Sequence, residues 1–154
     1  MKSIATLLHE HPFFAGLSEE TLTLIAGCGT NVHFKADETL FSENDPADLF
    51  YVLRRGRVAI ELDPARGEAL VLETVEAGEI LGVSWILPPY RFAFDARAME
   101  DTSAVAIDAA CLRGKCDNDP ALGYALFTRF AGLVHDRLQA ARLQLLDLYG
   151  SNGR

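Results

Sequence analysis

The segment Ser42–Leu62, SENDPADLFYVLRRGRVAIEL, decides the fold class. A cluster of turn-forming residues ends at Pro46, and the stretch Leu49–Leu53 that follows is almost continuously apolar. The residues Arg54-Arg55-Gly56 favour a tight reversal, after which apolar residues alternate as far as Leu62. This pattern predicts a β-hairpin of two strands that reverse at Gly56.

Short strands of the same kind lie on both sides of this segment. Apolar residues recur with a period of two from Asn31, and Leu40 begins another short run. Further strands are predicted at Leu70–Val75 and Ser103–Ile107, with a turn at Pro64–Gly67. Short strands separated by Gly, Pro and acidic turns indicate a mainly β fold, a small antiparallel jelly-roll barrel.

Helices are predicted at both ends of this barrel. Met1–His11 forms a short amphipathic helix, and Ser18 caps a second one that ends at Gly29. After the barrel, Asp108–Cys116 forms a short helix. A long helix then starts at Asp119-Pro120 and ends at Gly150. We therefore expect a single domain over 1–150, with helices in 1–30, the barrel in 31–108, helices in 109–150 and a tail at 151–154.

The long helix carries an apolar stripe in alternating steps of four and three residues. This pattern is typical of the a/d seam of a coiled coil. We expect the seam to form a parallel homodimer, and the alternative is that the stripe packs on the chain's own barrel. The seam comprises Phe127, Ala131, Val134, Leu138, Ala141, Leu145 and Leu148.

The composition excludes several functions. The net charge of -8 over 154 residues disfavours a surface that follows nucleic-acid phosphates. No apolar run approaches the roughly 20 residues that span a bilayer, and the N-terminus does not resemble a signal peptide. Cys28, Cys111 and Cys116 are irregularly spaced, which predicts reduced thiols and a cytoplasmic location. The scattered histidines form no metal site, and no catalytic constellation indicates an enzyme.

The segment Ala77–Ala98, AGEILGVSWILPPYRFAFDARA, is the candidate binding element. It predicts a glycine turn, a short helix, a break at Pro88-Pro89 and a strand, an arrangement that can hold a small ligand against a barrel wall. Alternation in the strand places Arg91, Ala93, Asp95 and Arg97 on one face and Phe92, Phe94 and Ala96 on the other. Asp95 and Arg97 are expected to pair with each other.

The order of these parts resembles the cyclic nucleotide-binding domain, and more narrowly the sensor half of the catabolite-activator/fumarate-nitrate regulator family. The resemblance implies that residues 78–93 are a phosphate-binding cassette and that the long helix is the dimer and signalling helix. Transcription factors of this family continue into a helix-turn-helix domain. Since this chain stops at Arg154, autonomous DNA binding is not expected.

The cassette departs from the family pattern at its two polar contacts. The family places Glu after the second glycine, where Val83 follows Gly82 here, and Arg before Ser or Thr, where Phe92 and Ala93 stand. Without the Glu and Arg, cyclic-nucleotide affinity should fall by orders of magnitude. The candidate ligand-binding residues implied by the resemblance are Gly82, Val83, Ser84, Trp85, Tyr90, Arg91, Phe92 and Ala93.

Three functional hypotheses stay open. The first is a regulatory module, without a cofactor, that senses a small molecule less charged than a cyclic nucleotide. The second is a ligand-free dimeric interaction module, in which Trp85, Phe92 and Phe94 fill the barrel and the long helix engages a protein partner. The third is weak cyclic-nucleotide binding through Arg91 and backbone amides of the cassette turn.

Overall fold

The computed structural model describes residues 2–62 and 69–152, and within them the strands form two four-stranded antiparallel sheets. One sheet has the order β1-β8-β3-β6 and the other β2-β7-β4-β5. This arrangement confirms the predicted jelly-roll class. The elements are α1 (Ile4–Glu10), a 3₁₀ turn (Pro12–Phe14), α2 (Glu19–Ala26), β1 (Gly29–Phe34), β2 (Thr39–Phe41), β3 (Leu49–Arg55), β4 (Arg57–Leu62), β5 (Leu70–Glu76), β6 (Ile80–Leu81), β7 (Asp95–Ala98), β8 (Thr102–Asp108), α3 (Ala109–Asn118) and α4 (Pro120–Asn152).

The predicted hairpin at Gly56 is wrong, although both of its strands exist. β3 pairs with β6 and β8, whereas β4 pairs with β5 and β7, so the chain passes from one sheet to the other at Gly56. Gly56 has a φ of +92°, and a Cβ there would collide with Asp101 and Thr102. The alternation that predicts two strands is common to a hairpin and a sheet corner. The turn predicted at Pro64–Gly67 lies outside the described residues.

The N-terminal helices cover one end of the barrel. Ser3 and Ser18 cap α1 and α2, and Leu8, Leu22 and Ile25 are buried beneath them. α2 ends at Ala26 rather than at the predicted Gly29, because Gly29 already pairs with Ile107 in the sheet.

A disulfide links the end of this N-terminal region to α3. Cys28 and Cys111 are bonded, with their Cα atoms 5.8 Å apart, and Cys116 is a free thiol. The prediction of reduced thiols is therefore wrong for two of the three cysteines. The two cysteines are 83 residues apart along the chain, so no local pattern predicts their contact. They meet because Cys28 precedes β1 and Cys111 follows β8, and these two strands pair.

The first part of α4 packs on the barrel, and the rest of the helix extends beyond it. Asp119 caps its start, as predicted, and Leu122, Leu126 and Phe130 are buried on one face. The helix continues to Asn152, past the predicted stop at Gly150, because one glycine costs a helix only about 1 kcal/mol. Every side chain in 138–150 is exposed.

The apolar seam lies beside the buried face of α4 and stays on the surface. The exposed fraction rises from 42% at Phe127 to 59% at Leu148. The helix therefore packs on its own barrel through a neighbouring stripe of residues. The seam stays largely exposed, and beyond Leu138 every side chain as far as 150 is exposed. None of the helices in the described part of the chain is both long and apolar enough to cross a membrane.

Candidate ligand cavity

The cassette is an irregular loop anchored at both ends. Gly78 and Gly82 adopt left-handed backbone conformations on either side of β6, which pairs with Tyr51 and Val52. The short helix predicted after Gly82 is absent, and turns followed by a cis Pro88-Pro89 bond stand in its place. Few residues separate Gly82 from these prolines, and proline cannot continue a helix.

A cavity of about 360 Å³ lies between the second sheet, the cassette and the middle of α4. Its walls are mostly apolar. Five of the eight candidate ligand-binding residues line it: Gly82, Val83, Ser84, Phe92 and Ala93. The complete lining is Phe41, Ile60, Glu73, Gly82, Val83, Ser84, Phe92, Ala93, Phe94, Val134, Arg137 and Leu138.

Phe92 forms one wall of this cavity. Its ring stacks on that of Phe41 with centroids 3.6 Å apart, and only 6% of the residue is exposed. Its carbonyl accepts a hydrogen bond from the backbone N–H of Asn44, and its own N–H donates to the carbonyl of Asp45. These two bonds fix the backbone of Phe92 and therefore the direction of its side chain. The position that the family resemblance assigns to a phosphate-binding Arg is thus occupied by an aromatic ring within the core.

Arg91 does not line this cavity. Its Nη1 donates a hydrogen bond of 2.8 Å to the carbonyl of Asn44, and its backbone forms a bridge with Pro46. It instead borders a second, more open hollow of about 750 Å³ between the outer side of the cassette and α4. That hollow is lined by Val83, Ser84, Ile86, Leu87, Arg91, Phe127, Phe130, Ala131, Val134 and His135.

Trp85 and Tyr90, which were also predicted as ligand-binding residues, line neither of these two hollows. Trp85 is fully buried, stacks on Phe50 at 5.0 Å and meets Phe130 edge-on at 5.2 Å. Tyr90 lies under the guanidinium of Arg113, 4.3 Å from its ring centroid. Arg113 also donates a 2.7 Å hydrogen bond to the carbonyl of Trp85, so both aromatic residues fix the cassette to the core.

The charged lining residues, Glu73 and Arg137, were missed by the sequence analysis. Nε of Arg137 lies 3.2 Å from Oε1 of Glu73 in β5, and its Nη2 donates to the carbonyl of Ile80 in β6. One guanidinium thus ties α4 to both sheets. The available signal was a lone cation between Val134 and Leu138, two positions that belong to the same apolar stripe.

The predicted alternation holds only within β7 itself. Phe94 precedes the strand and lies 40% exposed at the cavity, rather than sharing the buried face of Phe92 and Ala96. Asp95 and Arg97 do not pair with each other. Asp95 accepts a hydrogen bond from the backbone of Glu43.

Arg97 pairs instead with the buried carboxylate of Glu61, at 2.9 Å, and with Asp37 at 3.0 Å. The hydrogen bond to Glu61 raises the pKa of Arg97 above its ordinary value. Within residues 2–62 and 69–152, no three His, Cys, Asp or Glu side chains cluster in a way that could hold a metal ion.

The comparisons with known proteins agree with this geometry. Residues 31–119 match the family model of the cyclic nucleotide-binding domain. A putative cyclic nucleotide-binding protein of Geobacter metallireducens is 33% identical, with a TM-score of 0.78 over 90% of this chain and 99% of that one. The catabolite activator protein of Thermus thermophilus, 23% identical, shares the fold with a TM-score of 0.69 over 89% of this chain and 62% of that one.

Curated relatives match a smaller part of their own length. An uncharacterized ABC transporter ATP-binding protein of Mycobacterium tuberculosis is 31% identical over 106 residues, 69% of this chain. The chain spans only 29% of that relative. The family model covers more than half of the chain, including the strands and the cassette that build the cavity, and it shows that the chain belongs to the cyclic nucleotide-binding domain family.

Proposed function

We propose that this domain is a regulatory sensor that binds a small, mainly apolar molecule in the cavity between the second sheet, the cassette and α4. The observation that carries the proposal is the stack of Phe92 on Phe41 where the family resemblance expects a phosphate-binding Arg. Aromatic walls with few polar groups are typical of sites for small organic ligands.

The same wall argues against high affinity for cyclic AMP or cyclic GMP. A cyclic nucleotide brings a phosphate anion and a ribose hydroxyl, and Val83 offers no acceptor for the hydroxyl. Arg91 faces the other hollow, and Arg137 is already paired with Glu73. A phosphate buried without its own cation would cost several kcal/mol, about a tenfold loss of affinity for each 1.4 kcal/mol.

The signal would leave the domain through α4. Its exposed part, 138–150, extends about 20 Å at 1.5 Å per residue, and its apolar seam suits a second copy of the chain. We therefore expect a regulatory module that acts through a homodimer or a protein partner, and the net charge of -8 disfavours contact with DNA. A cytoplasmic location remains a prediction that the Cys28–Cys111 disulfide does not favour.

A ligand-free interaction module is the second candidate. The full burial of Trp85 in the core and the exposure of the apolar seam on α4 favour this candidate. It requires the 360 Å³ cavity to be incidental. The two candidates differ in whether blocking the cavity removes a binding activity.

Titration calorimetry with cyclic AMP and cyclic GMP tests the proposal directly. We expect no heat of binding at micromolar concentrations, and micromolar affinity for either nucleotide would overturn it. Mass spectrometry of the purified protein under native conditions should detect a copurified small molecule. Ala93→Trp, which blocks the cavity, should lose it, whereas Ala36→Trp, an exposed position away from the lining, should retain it.

A further inference from the structure

The charges within the cavity cancel each other. Among the described lining residues, Arg137 supplies the positive charge and Glu73 the negative one, with 3.2 Å between Nε and Oε1. Nε is buried and lacks a well-aligned hydrogen bond, so this contact is ionic rather than directional. Nη2 is held by the carbonyl of Ile80.

Nη1 of Arg137 is the nitrogen that neither Glu73 nor Ile80 contacts. It donates no hydrogen bond to residues 2–62 or 69–152 and, unlike Nε, is not among their buried atoms without a partner, so water or a ligand can reach it. The side chain is only 22% exposed, and its other two nitrogens are fixed by Glu73 and Ile80, so Nη1 has little freedom to turn away. The cavity therefore offers apolar walls and one preoriented, unused donor group.

We infer that Arg137 selects the ligand of the proposed sensor cavity, and that this ligand is an uncharged, mainly apolar molecule with one hydrogen-bond acceptor. The inference rests on the proposed function, since it assigns the chemistry of the same cavity. An acceptor such as a ketone oxygen takes a hydrogen bond from Nη1 and leaves the pair with Glu73 intact.

An anionic head group fits this arrangement poorly. Glu73 already neutralises Arg137, so a carboxylate or phosphate would enter with no cation of its own and would face the carboxylate of Glu73. A purely apolar molecule would fill the same walls and exclude water from Nη1 without supplying an acceptor. The intermediate class, apolar with one neutral acceptor, satisfies both the walls and the donor.

Three probes with a shared phenylethyl body test this inference: benzylacetone, hydrocinnamate and butylbenzene. Their heads are a ketone, a carboxylate and an ethyl group. We expect the full chain to bind benzylacetone about tenfold more tightly than either of the others, as measured by ligand-observed NMR titration. Equal or tighter binding of hydrocinnamate would overturn the inference and leave the apolar cavity in place.

Glu73→Gln supplies a gain-of-binding test. It removes the charge that neutralises Arg137, so affinity for hydrocinnamate should rise at least about tenfold. Asp136→Asn removes the same charge from an exposed neighbour of Arg137 that does not line the cavity, and it should change nothing.

The results distinguish failure of the role of Arg137 from failure of the sensor cavity. If Glu73→Gln leaves hydrocinnamate binding unchanged while benzylacetone still binds, the role of Arg137 is wrong and the sensor cavity stands. If none of the three probes binds to the chain, or if benzylacetone binds the blocked variant Ala93→Trp as tightly as the wild type, the proposed cavity itself fails, and the inference fails with it.

Discussion

The ring of Phe92 lies nearly parallel to that of Phe41, at an interplanar angle of 7° and a centroid distance of 3.6 Å. Phe41 ends β2 and Phe92 stands before β7, the strand that pairs with β2. The stack therefore joins the end of the cassette to the edge of the second sheet, where the chain returns to the barrel. It also places an apolar surface at the position that the family resemblance reserves for a phosphate contact.

Phe92→Ala should lower the free energy of unfolding by about 3 kcal/mol, because the substitution removes a buried aromatic side chain and leaves a cavity. Urea denaturation measures this loss. Phe94→Ala is the matched control, since Phe94 lines the same cavity but is 40% exposed, and it should cost less than about 1 kcal/mol. Equal losses in the two variants would contradict the packing role of Phe92.

His11 makes stability depend on pH. Burial lowers the pKa of His11 below its usual 6.5, and its Nε2 has no partner in the described residues. The unfolded chain therefore binds a proton more readily than the folded one. The stability that neutral His11 contributes to the fold is therefore fully present above pH 6.5, the pKa in the unfolded chain. It is lost as the pH falls from 6.5 through the lower pKa of the folded chain.

Denaturant titrations between about pH 7 and pH 5 measure that slope. His11→Gln should make it shallower, whereas His33→Gln, at an exposed position in β1, should leave it unchanged. A slope that is the same in all three proteins would show that another group controls the acid sensitivity.

Arg97→Ala should destabilise the fold by about 2 kcal/mol, because it leaves the buried carboxylate of Glu61 without its charged partner. Thermal and urea unfolding both report the change. Arg55→Ala, also in a strand but exposed, should stay within about 0.5 kcal/mol of the wild type. If Arg97→Ala is equally neutral, the pair with Glu61 contributes no net stability.

Leu145→Asp should convert the expected dimer into a monomer, because it places a charge in the apolar seam beyond the barrel. Leu138→Asp should do the same, although Leu138 also lines the cavity. Gln144→Asp, on the same helix but off the seam, is the control. Sedimentation velocity gives the mass, and an unchanged dimer in both Leu variants would place the dimer contact elsewhere.

The class of fold could be predicted from local patterns. Periods of two, turn residues and helix caps are properties of neighbouring residues, so the main strands, the caps at Ser18 and Asp119, and the start of α4 agree with the sequence. Sheet membership is not a local property. The corner at Gly56 and a hairpin there share one pattern, and only the pairing of β4 with β7 distinguishes them.

The candidate site divides in the same way. Val83, Phe92 and Ala93 were identified because they occupy the positions of a recognisable motif, and they do line the cavity. Trp85 belongs to the same motif but points into the core, since side-chain direction in an irregular loop follows no period. Glu73 and Arg137 lie 64 positions apart, and no spacing rule joins them.

By itself, the sequence determined a jelly-roll barrel with flanking helices and a cassette that has Val83, Phe92 and Ala93 where the family resemblance implies polar contacts. Those features follow from residue type and short-range order. The tertiary structure decided that Cys28 meets Cys111, that Arg91 faces away from the cavity and that Arg137 enters it. Each of these depends on two distant segments meeting, and the energy that selects such contacts comes from packing of the whole core rather than from the residues nearby.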